Sequence, residues 1–173
     1  LQNCIFILNA GHETTTNQLT NTCRTLLQHR DQWDALCADP SLAANTVEEG
    51  MRYAGAVIGW RRLALQDVEF RGVKIPAGAP IMLSFASANR DEDVFEDPQR
   101  FDIRRKNARR QLTFGNGVHF CLGAPLARLE MKIVFEEFVK RYPGMRLAEP
   151  DAAEHMHTFV FRAAHALPVV FPH

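Results

Sequence analysis

The segment FGNGVHFCLG, residues 114 to 123, constrains the fold of this chain most, because it places a cysteine in a glycine-rich loop that runs into an apolar helix. The glycines at 115, 117 and 123 permit positive φ angles and a close approach of the backbone to a flat object. The free N–H groups of a helix N-terminus stabilise negative charge and so favour a thiolate at Cys121. Such a thiolate suits a metal ligand or a nucleophile.

The other cysteines argue against disulfide bonds. Cys4, Cys23, Cys37 and Cys121 are separated by 19, 14 and 84 positions, a spacing typical neither of zinc ligands nor of small disulfide-rich proteins. A nucleophilic cysteine needs a base, and His119 is two residues away, but no third, orienting residue is apparent. A cysteine hydrolase that uses Cys121 and His119 therefore stays an alternative at this point, as does a structural cysteine.

Hydrophobic periodicity predicts helices before and after a β-rich middle. One helix begins near Asn3, and its middle, AGHETTTNQLTNT, contains a glycine and five threonines that propensity alone does not favour. The other predicted helices are a short one capped by Asp31 that ends at Ala38, one that begins at a capping box of Asn45 and Glu48, and an amphipathic one from about Cys121 to Tyr142.

Short β-like runs lie between these helices. RRLAL, VEF, VKI and PIMLSF are broken by turn residues and predict a small antiparallel sheet, while residues 88–110 read as an ordered loop. The tail, MRLAEP and HTFVFRAAHALPVVF, predicts two or three further strands. The expected fold class is mainly α with small antiparallel β-sheets (α+β).

Composition favours one domain. The chain has 173 residues, 46% of them hydrophobic, with 20 basic and 20 acidic side chains, so charge gives no indication of nucleic acid binding. The apolar run IFIL near the start is far shorter than the roughly 20 residues of a membrane span. We see no secretion signal, and a cytoplasmic protein with no membrane association is the expectation.

Four motifs in order resemble the C-terminal half of a cytochrome P450, a haem-thiolate monooxygenase. FGNGVHFCLG resembles the cysteine loop of that family and AGHETT its oxygen-activating helix. EGMR has the family's E-x-x-R arrangement, and ANRDEDVFEDPQRFD is similar to the segment called the meander. The resemblance implies that residues 1–173 form the C-terminal, haem-binding part of that fold, with the N-terminal part absent.

The resemblance also implies a cofactor, haem b (iron protoporphyrin IX), with Cys121 as its iron ligand and O2 as co-substrate. Arg62 and His119 match positions that bind haem propionates, which fits the charge-assisted bonds of a guanidinium to a carboxylate. Gly11 is expected to let the first helix approach the porphyrin. The full set of cofactor-binding residues implied in this way is Cys121, Arg62, His119, Phe114, Gly115, Gly123, Ala10 and Gly11.

Glu13 and Thr14 match the family's acid-alcohol pair, which carries protons to dioxygen. A break in the helical hydrogen bonds near Thr14 is expected to open a groove for dioxygen. The alternative is that the Thr14 hydroxyl simply bonds back to the carbonyl four residues earlier.

Two groups of charges have roles implied by the family. Glu49 and Arg52 are expected to be buried together with Arg100 as a structural cluster. The basic run RRKNARR, residues 104 to 110, precedes the cysteine loop and is expected to attract an acidic ferredoxin, or a flavoprotein reductase, as electron donor. Its alternative role is that of an ordinary solvated basic run.

The expected reaction is insertion of one oxygen atom into a small apolar substrate, with residues 58–65 and 159–161 as candidate pocket walls. The alternative is a truncated haem-binding fragment or homologue without monooxygenase turnover. Asn9 departs from the family, which usually has an apolar residue before Ala-Gly. Without an N-terminal part, Ile5, Phe6 and Leu8 would lack their cover, and either that part or self-association is expected to supply it.

Overall fold

The computed structural model describes residues 1–149 and 160–171. Its helices follow the periodicity of the sequence closely, α1 beginning one residue before the predicted Asn3. The bounds are α1 Gln2–Gln28, α2 Arg30–Ala38, α3 Ala43–Ala54, α4 Phe85–Ala88 and α5 Ala124–Arg141, with 3-10 turns at Pro40–Leu42, Ala108–Arg110 and Gly117–His119.

Two predicted helix caps are wrong. Asp31 lies in the first turn of α2, whose N-cap is His29, and a hydrogen bond from the Gln32 side chain lowers the pKa of the Asp31 carboxyl. Asn45 lies inside α3, where its amide donates to the carbonyls of Ile103 and Arg105 at 2.7 and 3.1 Å. The polar side chain that suggested a cap therefore binds a distant segment instead.

The strands form separate two-stranded antiparallel sheets instead of one small sheet. β1 (Gly59–Leu63) pairs with β4 (Pro80–Ser84), and between them β2 (Val68–Phe70) pairs with β3 (Val73–Ile75). The inner pair closes through its own tight turn, in which Arg71 and Gly72 have φ of 49° and 81°.

In the tail, β5 (Arg146–Leu147) pairs with β6 (Val169–Val170), and Val57 forms a bridge with Phe161. The proposed wall residue Phe159 lies outside the described residues. Helices with small antiparallel sheets confirm the predicted fold class.

The core lies between the second half of α1 and helices α2, α3 and α5. Trp33, Leu36 and Phe135 are fully buried there, each contributing on the order of 2 kcal/mol by removal from water. Gly50 of α3 faces Thr22 of α1 so closely that an added Cβ would overlap the threonine side chain. The close contact fixes α3 against α1 and makes α3 the platform of the site.

The ordered loop between α4 and α5 is held by a buried charge cluster. Arg52 donates through Nε and Nη2 to the two oxygens of Glu49, at 2.7 and 2.8 Å, and both side chains are fully buried. The third member is Arg105, whose Nε lies 3.2 Å from the Glu49 carboxylate. The expectation for Arg100 is wrong, because its side chain is exposed and only its carbonyl accepts from Arg52 and Arg105.

Apolar side chains remain exposed on two helices. Ile5, Phe6 and Leu8 of α1 are 51%, 72% and 68% exposed, as expected from the sequence. Helix α5 buries Met131 and Phe135 but is also apolar on a second, exposed face formed by Leu126, Leu129 and Ile133, and Leu122 just before the helix is exposed as well. The predicted single apolar face of α5 is therefore wrong. Within the described ranges no helix is long and apolar enough to cross a membrane.

A candidate cofactor site at the cysteine loop

The stem of the cysteine loop, residues 111–113, is fixed to the end of α3. The Thr113 hydroxyl donates to the carbonyl of Met51 at 2.8 Å and accepts from the Asn89 amide at 3.0 Å. Asn89, 2% exposed, also accepts from the backbone N–H of Leu112 at 2.7 Å. A Cβ on Gly55 would lie 2.8 Å from the Thr113 hydroxyl, so only glycine permits this approach. The stem is thus rigidly positioned before the cysteine is reached.

The loop then turns through two glycines and closes on itself. Gly115 and Gly117 have φ of 72° and 75°, values that other residues adopt only at a cost. The N–H of Cys121 donates to the carbonyl of Phe114 at 3.0 Å. The carbonyl of Cys121 accepts from the N–H of Ala124, where α5 begins, at 3.3 Å. Cys121 therefore lies just before α5, in a turn whose ends are joined by hydrogen bonds.

The Cys121 thiol is free and exposed, unlike the cysteine of the core. Burial raises the pKa of Cys23 to about 12, and burial also raises the pKa of Cys37, an effect that nearby Arg30 partly offsets. His119 is exposed, and no hydrogen bond of the described residues joins it to Cys121. The geometry thus gives the Cys-His hydrolase alternative no support.

A metal at Cys121 would receive few protein ligands. In residues 1–149 and 160–171, no three His, Cys, Asp or Glu side chains come together in a way that could hold an ion. One thiolate suits a metal whose other ligands come from a cofactor, as in haem. The exposed apolar side chains beside it, Val118 at 98% and Leu122 at 91%, suit contact with an apolar macrocycle. The residues present therefore fit a haem.

The candidate residues of α1 share one exposed stretch of helix. Ala10, Gly11 and Glu13 are exposed and Thr14 is half-buried, and an added Cβ on Gly11 would have no neighbour within 4 Å. The Thr14 hydroxyl donates to the carbonyl of Ala10 at 2.7 Å, which is the alternative drawn from the sequence.

Helix α1 continues through this region without interruption, so the expected break near Thr14 is wrong. Thr16 and Thr20 bond back to the preceding turn in the same way, each at 2.9 Å. Each threonine hydroxyl donates a second hydrogen bond to the carbonyl four residues earlier, which also lies in the helical backbone. The helix therefore stays regular.

Arg62 lies on β1, half-buried, and donates through Nη1 to the carbonyl of Arg61 at 2.8 Å. No carboxylate of the described residues pairs with it, so its charge is available for an acidic ligand. The structure thus brings Phe114, Gly115, His119, Cys121 and Gly123 together in one loop. Among described residues, no hydrogen bond or ion pair joins this loop to Arg62 or to residues 10–14 of α1.

Two charged groups could not be assigned their partners from the sequence. Glu48 is buried and bonded to Arg128 of α5, whose guanidinium lies over the Phe114 ring. Arg105 completes the Glu49 cluster. Spacing alone gave no signal for either, because Arg128 lies 80 positions from Glu48 and Arg105 lies in a run of basic residues.

Comparison with known proteins agrees with this fold and loop. Residues 24–159 match the family model of cytochrome P450. The chain is 42% identical over 168 residues to a steroid C26-monooxygenase of Mycobacterium tuberculosis, covering 96% of this chain and 42% of that protein. It is 43% identical over 166 residues to the erythromycin C-12 hydroxylase of Saccharopolyspora erythraea, covering 95% of this chain and 42% of that protein.

A crystal structure of the P450 heme domain of Tepidiphilus thermophilus matches with a TM-score of 0.90 and 48% identity, over 94% of this chain and 39% of that one. Fold, cysteine loop and relatives together define the class: the chain belongs to the cytochrome P450 family, for which a haem cofactor and O2 are expected. It spans less than half the length of the relatives it matches.

Proposed function

We propose that the chain binds haem b through the Cys121 thiolate and serves a monooxygenase that inserts one oxygen atom from O2 into a small apolar substrate. The observation that carries this proposal is the exposed Cys121 thiol at the tip of a loop whose stem is fixed by Asn89 and Thr113. The similarity to proteins named monooxygenase and hydroxylase supports the same reaction class.

When bound, the haem supplies the redox chemistry that activates dioxygen. The chain contributes the thiolate, and the hydrogen bond from the Cys121 N–H to the Phe114 carbonyl fixes the backbone that carries it. Gly123 leaves room beside the sulfur, since an added Cβ there would be in contact with Sγ at 3.9 Å. Ala10 and Gly11, small and exposed, would suit close approach of α1 to the cofactor.

Glu13 and Thr14 are proposed to deliver protons. The exposed Glu13 carboxylate can exchange protons with water and pass one to the Thr14 Oγ1. The Thr14 hydroxyl would turn from the Ala10 carbonyl, to which it now donates, and pass its own proton toward dioxygen as it receives one from Glu13. Loss of either group is expected to slow proton delivery without preventing haem binding.

Arg62 and His119 are proposed to bind the haem propionates. Arg62 has no carboxylate partner among the described residues, and a guanidinium binds a carboxylate with two parallel hydrogen bonds. His119 is exposed two residues before the thiolate. The exposed Leu63 and Leu65, at 59% and 91%, are candidate walls for an apolar substrate.

The proposed electron donor is an acidic ferredoxin, or a flavoprotein reductase. The basic run before the loop supports this with four exposed cations: Arg104, Lys106, Arg109 and Arg110. Arg105, counted in the run by sequence, belongs to the core instead. Opposite charge speeds encounter between partners and makes it sensitive to salt.

A second candidate is haem binding without turnover. The exposed Ile5, Phe6 and Leu8 favour it, because this apolar face needs a cover, from an N-terminal part or from self-association, before substrate could be shielded from water. In that case the chain would ligate haem through Cys121 but form no oxygenated product.

The test is a haem titration of the protein, followed by reduction, addition of carbon monoxide and recording of the Soret band. A thiolate-type red shift that is absent in Cys121→Ser but present in Cys4→Ser is expected. Product formation with an electron donor then separates the two candidates, since peroxide without product would favour haem binding alone. No haem uptake, or an unchanged band in Cys121→Ser, would overturn the proposal.

A further inference from the structure

A second buried carboxylate lies beside the Glu49 cluster and faces the cysteine loop. Glu48 has a side chain only 8% exposed, and Arg128 of α5 donates to it through Nε at 2.6 Å and Nη2 at 3.3 Å. The Gln111 amide, in the stem of the loop, donates to the same carboxylate at 3.1 Å. Glu48 thereby joins α3, α5 and the loop stem at one point.

Arg128 continues this connection to the loop itself. Its guanidinium carbon lies 4.6 Å from the centre of the Phe114 ring, within the range of a favourable cation–π contact. Arg128 is three-quarters buried, which strengthens such a contact. The carbonyl of Phe114 in turn accepts from the Cys121 N–H at 3.0 Å. Glu48 thus orients Arg128, and Arg128 holds the residue that orients Cys121.

We propose that Glu48 and Arg128 are a positioning pair that holds the cysteine loop and balances charge beside the iron ligand. The inference rests on the proposed haem ligation by Cys121. Neither residue contacts a reacting atom: Arg128 holds the loop through Phe114, and the charges of Glu48 and Arg128 act on the iron through space. Arg109 lies 3.8 Å from Glu48 but is 81% exposed, so solvent screens its charge and it does not replace Arg128.

The two members of the pair have opposite effects on reduction of the iron. Reduction adds negative charge, which an uncompensated Glu48 carboxylate opposes and an uncompensated Arg128 guanidinium favours. Arg128→Gln is therefore expected to lower the midpoint potential and Glu48→Gln to raise it. The double variant removes both charges, and its potential is expected to lie close to that of the unmodified protein. Structural damage alone would not give opposite signs that cancel.

The experiment is a spectroelectrochemical titration of the haem-loaded protein and these three variants. Arg141→Gln is the matched control, since Arg141 lies on the same helix in an exposed ion pair with Glu137 at 2.6 Å, and its potential is expected to be unchanged. Arg128→Lys keeps the charge but not the planar group over Phe114. It is expected to keep the potential while a larger fraction of its carbon monoxide complex loses the thiolate-type band.

Potentials that are unchanged in both single variants, or shifted in the same direction, would overturn the inference. If a single variant takes up no haem, recovery of uptake in the double variant supports charge balance, and no recovery overturns it. Failure of the proposed function is distinguishable, because there the unmodified protein itself shows no thiolate-type band. If the thiolate-type band disappears in Cys121→Ser but the midpoint potentials of the Glu48 and Arg128 variants do not change, the proposed function stands and only the positioning pair is contradicted.

Discussion

Arg105 and Glu49, 56 positions apart in the chain, meet in the core with Nε of the arginine 3.2 Å from the carboxylate. The remaining nitrogens of Arg105 donate to the carbonyls of Glu96, Asp97 and Arg100, at 2.6, 3.1 and 3.0 Å. One side chain therefore fixes the loop between α4 and α5 and joins that loop to α3, which also supports the stem of the cysteine loop.

Arg105→Ala is expected to lower the free energy of unfolding by about 3 kcal/mol, because it removes one partner of a buried charge cluster while Arg52 still pairs with Glu49. Arg100→Ala is the matched control with little expected effect, since the exposed side chain of Arg100 is lost but its carbonyl is kept. Chemical denaturation of the haem-free protein measures both. Equal losses would contradict the assignment of Arg105 as the third member.

Gly11→Ala is expected to have opposite effects on stability and on haem affinity. In the haem-free protein, alanine replaces a glycine inside α1 with no neighbour within 4 Å of the new Cβ, and it should stabilise by up to about 1 kcal/mol. If α1 approaches the porphyrin there, the same methyl group weakens haem binding. Gly50→Ala, which overlaps Thr22, should destabilise in both states. Unchanged haem affinity in Gly11→Ala would contradict the proposed role of Gly11.

Thiol alkylation separates the cysteines by their environment. Burial raises the pKa of Cys23 from 9.0 to about 12, so this thiol is expected to resist alkylation at mildly alkaline pH while the exposed Cys4 and Cys121 react. Peptide mapping by mass spectrometry measures the extent of alkylation at each cysteine. Haem is expected to protect Cys121 and leave Cys4 reactive, and reaction at Cys121 in the haem-loaded protein would contradict ligation.

The raised pKa of the Cys23 thiol also predicts a loss of folding stability at high pH. The unfolded thiol ionises near 9.0 and the folded one near 12, so the folded protein holds more protons between these values. The contribution of Cys23 is fully present below pH 9.0 and is lost as the pH rises from there toward 12. Cys23→Ala should remove that part of the pH dependence.

The sequence predicted the elements with strong periodicity and the motif with unusual composition. It predicted α1 and the cysteine loop because apolar residues three or four positions apart, or glycines at fixed positions, form patterns that depend only on neighbours in the chain. It misassigned Asn45, Arg100 and the regularity of α1 near Thr14. The partners of Asn45 lie 58 and 60 positions away, which no local pattern encodes.

The choice of which apolar side of α5 is buried was also beyond sequence reasoning. Leu126 and Phe135 are nine positions apart, which places them on opposite sides of the helix, and only Phe135 reaches the core because α1, α2 and α3 pack on its side. Which apolar face is covered depends on the fold of the whole core.

Reversing the charges of Arg109 and Arg110 to Glu is expected to slow reduction by an acidic ferredoxin and to flatten its dependence on salt, because steering toward the exposed basic run is lost. Stopped-flow reduction at several ionic strengths measures this. Lys140→Glu with Arg141→Glu makes the same change in net charge at the far end of α5 and serves as control. Equal slowing in both double variants would contradict docking at the run.

Iron-edge X-ray absorption of the haem-loaded protein tests the central claim, ligation by Cys121, most directly. We expect one sulfur among the iron ligands in the unmodified protein and in Cys4→Ser, and none in Cys121→Ser. A sulfur ligand that persists in Cys121→Ser, or iron with only nitrogen and oxygen ligands in the unmodified protein, would contradict it.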